Sequence, residues 1–234
     1  MSTFGNRIVF ELQGIVGVPD LVILILYGVF IREGPTLSDN EGHAGDLPPG
    51  QRRVKRLLRW GTDHPGITPS IPKIDREKWT LVITGEVENP LQLSWNDMMK
   101  WPRHVSVSDF HCVEGWSVVG CRWEGISMKY MLDRIKPKES AKYVTFECMD
   151  GYATSLSIKD ILEDGVLLAY KLDGAYLEAG IGAPLRLVVP SKYAYKSAMW
   201  ITKIAFTSTK ELGYWERRGY SDSADVWGND RYSA

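Results

Sequence analysis

Alternation of apolar and polar positions carries most of the structural signal in this chain. Residues 79–87, W-T-L-V-I-T-G-E-V, alternate with period two and predict a half-buried strand. Asn89-Pro90 makes a turn, and residues 91–93 predict a short second strand. Ser94 then stands as the N-cap of a helix over residues 95–101, which Pro102 ends. Residues 104–109 alternate again, and the spacing over residues 127–135 fits a short amphipathic helix stopped by Pro137. Residues 143–148 read as a strand, and Ser157 caps a helix over residues 158–163. Strands at 166–172 and 175–177 flank Asp173-Gly174, the strongest hairpin signal in the chain. Residues 185–189 and 200–206 predict two more strands. Many strands, few short helices and no regular βαβ alternation point to an α+β fold with substantial β.

The N-terminal part breaks this pattern. From residue 12 to 31 the only charge is Asp20, and residues 21–31 are apolar apart from Tyr27 and Gly28. That run is shorter than the roughly 20 residues a spanning helix needs. Extended back to Leu12 it takes in Gln13, Pro19 and Asp20. The basic start is one residue, Arg7, with no small-x-small cleavage site and no twin-arginine pair. Membrane association through residues 12–31 is one reading. An apolar extension on a cytoplasmic protein is the other, and it is favoured. Residues 34–50 are rich in Gly, Pro, Asp and Asn and read as a linker. The expected division is therefore an extension and linker over 1–46 and one catalytic domain over 47–234. Arg52, Arg53, Lys55, Arg56 and Arg59 follow, expected as a solvated helix face or arm; contact with anionic lipid or cofactor phosphate is the alternative.

Composition removes several function classes. With 28 basic and 29 acidic residues the net charge is -1, which lacks the basic footprint of nucleic-acid binding. The 3 cysteines form no C-x-x-C, so a disulfide framework, a zinc ribbon and an attached c-type haem are unsupported. Walker A, strand-following G-x-G-x-x-G and G-x-S-x-G motifs are missing, and the 4 histidines show no ligand spacing.

Two segments remain. Residues 109–116, D-F-H-C-V-E-G-W, place Cys112 at a strand end with Glu114 two residues on and a glycine turn after it. A thiolate there suits a soft metal ligand or a nucleophile; a buried apolar cysteine is the plain alternative. Residues 182–200 interleave Arg186, Lys192 and Lys196 with Tyr193, Tyr195 and Trp200. Such a mixture suits a phosphate-bearing aromatic ligand, or else a strand followed by an exposed basic loop.

Taken together and in order, these motifs resemble the sulfite oxidase-like molybdopterin oxidoreductases, especially the group containing the catalytic subunit of periplasmic methionine sulfoxide reductase. The resemblance runs from about Leu47 to Tyr232. It rests on L-P-P-G-Q at 47–51, W-x-L-x-I-x-G-x-V-x-x-P-L at 79–91 and C-V-E-x-W-S at 112–117. It continues through W-x-G at 123–125, D-G-Y at 150–152, the G-A-P-L-R-L-V-V-P block from 182 and Y-W-E-R-R-G-Y at 214–220.

The resemblance implies a sulfite oxidase-type molybdopterin-binding domain holding molybdenum on one molybdopterin. It implies Cys112 as the metal's thiolate ligand and Glu114 as a carboxylate that hydrogen-bonds beside the metal or moves a proton. Arg186, Lys196, Ser197, Ala198 and Met199 match the pterin phosphate region. Cys148 falls where the reductase has a threonine near the cofactor, and His64 matches a cofactor-lining loop. Phe110 or His111 replaces an arginine of that group, and Ile181 an asparagine. An arginine-rich sulfite pocket is not recognisable near Cys112, so sulfite specificity is unsupported.

The expected activity is oxygen-atom or two-electron transfer at a small sulfur- or nitrogen-containing substrate, with a separate electron-transfer partner and a monomeric enzyme. A cysteine-nucleophile hydrolase and a cofactor-free binding module of the same fold are the alternatives.

Overall fold

Two sheets pack around a shared apolar core. In the computed structural model the described residues are 47–233, so the apolar segment at 12–31 and the linker up to residue 46 lie outside them. The elements are β1 (Arg52–Arg53), β2 (Thr80–Gly85), β3 (Leu91–Ser94), α1 (Trp95–Met98), β4 (His104–Cys112), β5 (Trp116–Ser127) and α2 (Met128–Ile135). They continue with β6 (Tyr143–Cys148), β7 (Ala153–Ser157), α3 (Ile158–Ile161), β8 (Leu167–Leu172), β9 (Ala175–Tyr176), β10 (Arg186–Val188) and β11 (Ile201–Thr207). Among the described residues no helix is long and apolar enough to cross a membrane.

The first sheet has five strands in the order β3-β2-β11-β6-β7. In β2 the alternation drives Leu81 and Ile83 fully inward, and β11 supplies Ile204 and Phe206 beside them. Each such apolar burial contributes about 1.5–3 kcal/mol. Helix α2 adds Met128, Met131, Leu132 and Ile135, the i, i+3, i+4, i+7 stripe of one buried face. It ends at Lys136 in a left-handed cap, one residue before Pro137.

Serine capping works at both short helices. Ser94 accepts from the Asp97 amide while Asp97 caps the Ser94 amide, and Ser157 and Asp160 repeat the arrangement. α1 is shorter than the expected helix to residue 101: it stops at Met98, and turn hydrogen bonds carry the chain to Pro102.

The second sheet is built on β5, whose 12 residues pair with β4 along one edge. The other edge is divided: β1 pairs in parallel at Trp116–Ser117, and β8 pairs antiparallel from Trp123 to Ser127. β8 in turn carries β9 through the Asp173-Gly174 hairpin, where both turn residues have positive φ, 49° and 83°. At Gly125 the β8 backbone leaves no room for a side chain; a Cβ there would lie 2.1 Å from the Leu168 carbonyl oxygen.

The basic run is a solvated arm rather than a helix face. Arg52 and Arg53 are strand β1, Arg56 binds Asp63 at 2.7 Å, and Arg59 binds Glu178 at 3.2 Å. Backbone pairing with β5 and these carboxylate contacts hold it as a strand and a loop.

A second apolar cluster on this sheet, with Phe110, Trp116, Trp123 and Leu57 buried, ends at Cys112. The functional site opens there.

Candidate active site

The β4–β5 pairing delivers Cys112 to the end of its strand, opposite Trp116. The chain reverses through Val113, Glu114 and Gly115, with Gly115 at φ +87°. Only glycine fits easily at that angle, and a Cβ there would also sit 2.9 Å from the Gly50 carbonyl oxygen. The turn faces a cavity of about 210 Å³. Its walls come from the loop carrying Trp60 and His64, from the Asp150–Tyr152 turn, from the stretch Ala194–Trp200, and from Trp215 and Tyr220. An outer cavity shares Trp60, His64, Asp150 and Trp200 with it.

Around Cys112 the contacts are specific. Its thiol lies 3.9 Å from Glu114 Oε2, to which the Trp116 indole N–H donates at 3.2 Å. His64 Nε2 is also 3.2 Å from that oxygen, but out of line for a hydrogen bond, so this buried ring nitrogen is left without a partner. The His64 ring stacks on Trp116 at 6.3 Å. Behind the turn, Gln51 Nε2 donates to the Cys112 carbonyl at 3.0 Å, while Ser117 Oγ donates to Gln51 Oε1. That direction leaves His111 Nδ1 as the donor to Ser117 Oγ at 2.7 Å. Burial holds His111 below its ordinary pKa, in keeping with a neutral ring.

Burial pushes the Cys112 thiol up to about 12, with the Glu114 carboxylate acting in the same direction. A thiol so raised is a poor nucleophile at neutral pH, which counts against the hydrolase alternative. It is a good resting form for a ligand that loses its proton only when a metal arrives.

Arg186 is the second unusual group. It is almost wholly buried and lines the cavity, and among the described residues no carboxylate pairs with it. Its guanidinium donates to the carbonyls of Ile181 (2.9 Å) and Ser197 (3.3 Å) and lies over Phe110 at 4.7 Å. Burial lowers its pKa to about 10, so it stays cationic at neutral pH. A buried cation without a counter-charge, opening on a cavity, fits an anionic ligand group.

The residues singled out in the sequence are only partly gathered here. His64, Cys112, Glu114, Arg186, Ser197, Ala198 and Met199 all line the cavity. Lys196 and Cys148 do not. Lys196 is fully buried and turned toward Glu216 Oε1 at 2.5 Å, Ser155 O at 3.1 Å and Asp222 Oδ1 at 3.2 Å. Cys148 sits in the main core behind the wall, next to the backbone bond from Met149 N to Trp200 O, and burial pushes its thiol well up. Trp60, Asp150, Tyr152, Trp215 and Tyr220 line the cavity without having been singled out as site residues, although all but Trp60 belong to the D-G-Y and Y-W-E-R-R-G-Y motifs.

No three His, Cys, Asp or Glu side chains among the described residues come together to hold a metal ion. A metal at Cys112 must bring most of its ligands with it, as a pterin-bound metal does. The family model "Oxidoreductase molybdopterin binding domain" matches residues 68–215, more than half of the chain.

The chain belongs to this molybdopterin-binding oxidoreductase family.

It is an oxidoreductase whose cofactor is molybdenum held on molybdopterin. The chain is 36% identical over 190 residues to the uncharacterized oxidoreductase YuiH of Bacillus subtilis, covering 81% of this chain and 93% of that one. It is 32% identical to the protein-methionine-sulfoxide reductase catalytic subunit MsrP of Campylobacter jejuni, covering 68% of this chain and 59% of that one. It is 31% identical to the putative protein-methionine-sulfoxide reductase subunit YedZ1 of Azospira oryzae, covering 64% and 57% respectively. The chain thus spans under two thirds of these two relatives.

Among solved structures, the sulfane dehydrogenase SoxCD of Paracoccus pantotrophus superposes with a TM-score of 0.57 at 20% identity, over 64% of this chain and 43% of that one. That likeness shows the sulfite oxidase-type fold. The family match contains Cys112, Glu114 and Arg186, while His64 and the C-terminal stretch beyond residue 215 fall outside it.

Proposed function

We propose that this molybdopterin oxidoreductase removes oxygen from a small uncharged sulfoxide, drawing electrons from a separate redox protein. The overall change is sulfoxide plus two electrons and two protons giving thioether and water. When bound, molybdenum on its pterin supplies the two-electron oxygen-transfer chemistry. In this reading Cys112 ligates the metal through its thiolate, and Arg186 with the Ser197–Met199 backbone receives the pterin phosphate. Lys196 contributes indirectly, by anchoring that backbone to Glu216. Glu114, oriented by the Trp116 N–H, holds or passes a proton at the reacting oxygen. His64 stacks on Trp116 and excludes water from that side.

One observation carries the substrate class. Glu114 and Asp150 both line the cavity, and Arg186, the one Lys or Arg side chain among the described lining residues, is taken up in this reading by the pterin phosphate. A doubly charged sulfite would enter against two carboxylates with no free cation to receive it. A neutral S=O group between aromatic walls meets no such penalty. The methionine-sulfoxide reductase names of two relatives support the substrate class, and their description as subunits supports a separate electron partner.

The test is turnover of purified, cofactor-loaded protein with a reduced one-electron dye and a dialkyl sulfoxide, beside sulfite oxidation with the oxidised dye. Sulfoxide reduction well above sulfite oxidation is expected. Sulfite oxidation without sulfoxide reduction would overturn the proposal.

A further inference from the structure

We infer that Arg231 is the positioning residue of the turn that presents Cys112 and Glu114. Three of the four carbonyls from Cys112 to Gly115 have donors. Cys112 O accepts from Gln51 Nε2 and from the Gly115 amide, both at 3.0 Å. Gly115 O accepts from the Arg52 amide at 2.9 Å. Val113 O, in the middle of the turn, accepts from Arg231 Nη1.

The same guanidinium reaches further. Its Nη2 donates to Pro49 O and Gly50 O, each at 3.2 Å, and its Nε to Asn229 Oδ1 at 2.8 Å. Its face lies 5.1 Å from the Tyr193 ring centroid, and the Tyr193 hydroxyl donates to the same Asn229 oxygen at 3.2 Å. Among the described residues no carboxylate is within ion-pair reach of Arg231.

This is an uncommon use of an arginine. All three nitrogens are spent, none on a charge, and the two distant backbone stretches they join lie 118 and 182 residues from Arg231 in sequence. A planar five-donor fork can join Val113 to Pro49 and Gly50 at once; a lysine ammonium on a flexible stem cannot fix that geometry. The consequence is a turn held on both flanks, by β1 and Gln51 on one and by Arg231 on the other. A displacement of about 1 Å in such a turn is enough to cost about a hundredfold in rate. Residues 221–233 therefore act as a strap whose end closes over the Cys112 turn.

The inference rests on the reading of Cys112 as the metal's ligand, and its test separates the two. Full-length Arg231→Met and Arg231→Lys are compared with the native protein and with Arg217→Gln, a surface control. In cofactor-free protein, amide exchange at residues 113–117 should be about tenfold faster or more in both Arg231 variants, with β6 and β11 unchanged. In loaded protein, the g-values of the Mo(V) electron paramagnetic resonance signal should move in both, because the sulfur's torsion follows the turn. Unchanged exchange and unchanged g-values would overturn the inference. So would equal acceleration at β6 and β11, which is what a merely structural staple would give. Arg231→Lys carries the test if Arg231→Met fails to fold. If Cys112→Ala keeps its molybdenum, the ligand reading fails while the exchange comparison still decides the role of Arg231.

Discussion

Lys196→Met separates two uses of one lysine. The side chains of Lys196 and Glu216 are 0% and 1% exposed, and their charged atoms meet at 2.5 Å. Thr154 Oγ1 also donates to Glu216 Oε1, at 2.7 Å. The substitution removes the ammonium and leaves the Glu216 carboxylate buried on one neutral hydrogen bond. Breaking a buried pair in this way costs about 3–5 kcal/mol. For a domain of this size each kcal/mol lowers the melting temperature by about 2–4 °C, so a drop of roughly 6–20 °C is expected. Adding Glu216→Gln removes the stranded charge while keeping an acceptor for Thr154, and should recover at least half the loss. The assay is urea and thermal unfolding of cofactor-free protein for the native chain, both single variants and the double. A loss below about 1 kcal/mol, or additive single effects, would refute the buried-pair account. Normal stability with selective loss of cofactor would instead assign Lys196 to the phosphate directly.

Two further outcomes follow from the fold. Gly125→Ala drives a Cβ to 2.1 Å from Leu168 O at the β5–β8 contact; loss of about 3 kcal/mol or more, or failure to accumulate folded protein, is expected by urea unfolding. Asp160 is partly buried, which raises its pKa, but its bonds to Ser157 and Lys192 outweigh this and hold it below 3.8. The stability it adds is therefore complete above its unfolded value of 3.8 and lost as pH falls through the lower folded value. Asp160→Asn should flatten the acid limb of the unfolding midpoint below about pH 4, and an unchanged limb would count against that pairing.

Local signals in the sequence were read well where chemistry is local. Both capping serines, the Asp173-Gly174 turn and the strand at 143–148 stand as the pattern indicates. β5 escaped because Gly120, Arg122 and Gly125 interrupt its alternation, although it is the strand on which the second sheet depends. β7 escaped because two of its three buried residues, Thr154 and Ser155, are polar, with hydroxyls that find partners in Glu216 and Glu211, and Leu156 alone makes no pattern. The same limit applies to the site. Cys112, Glu114 and Arg186 sit in motifs dense enough to resemble a family. Asp150 lies in the D-G-Y motif, which marks the family but not the cavity wall it forms, and nothing adjacent to Arg231 signals its place. Lys196 shows the converse: a basic residue in a cation-rich motif whose charge is taken up by a carboxylate 20 residues away.

The central claim is that Cys112 is the protein's ligand to molybdenum. Its most direct test is metal and pterin analysis of Cys112→Ala beside the native protein, both produced in a host with full molybdopterin supply. The native chain should carry molybdenum and pterin together, and the variant should lose most of its molybdenum while its unfolding midpoint stays near native. Molybdenum retained undiminished in the variant would contradict the claim.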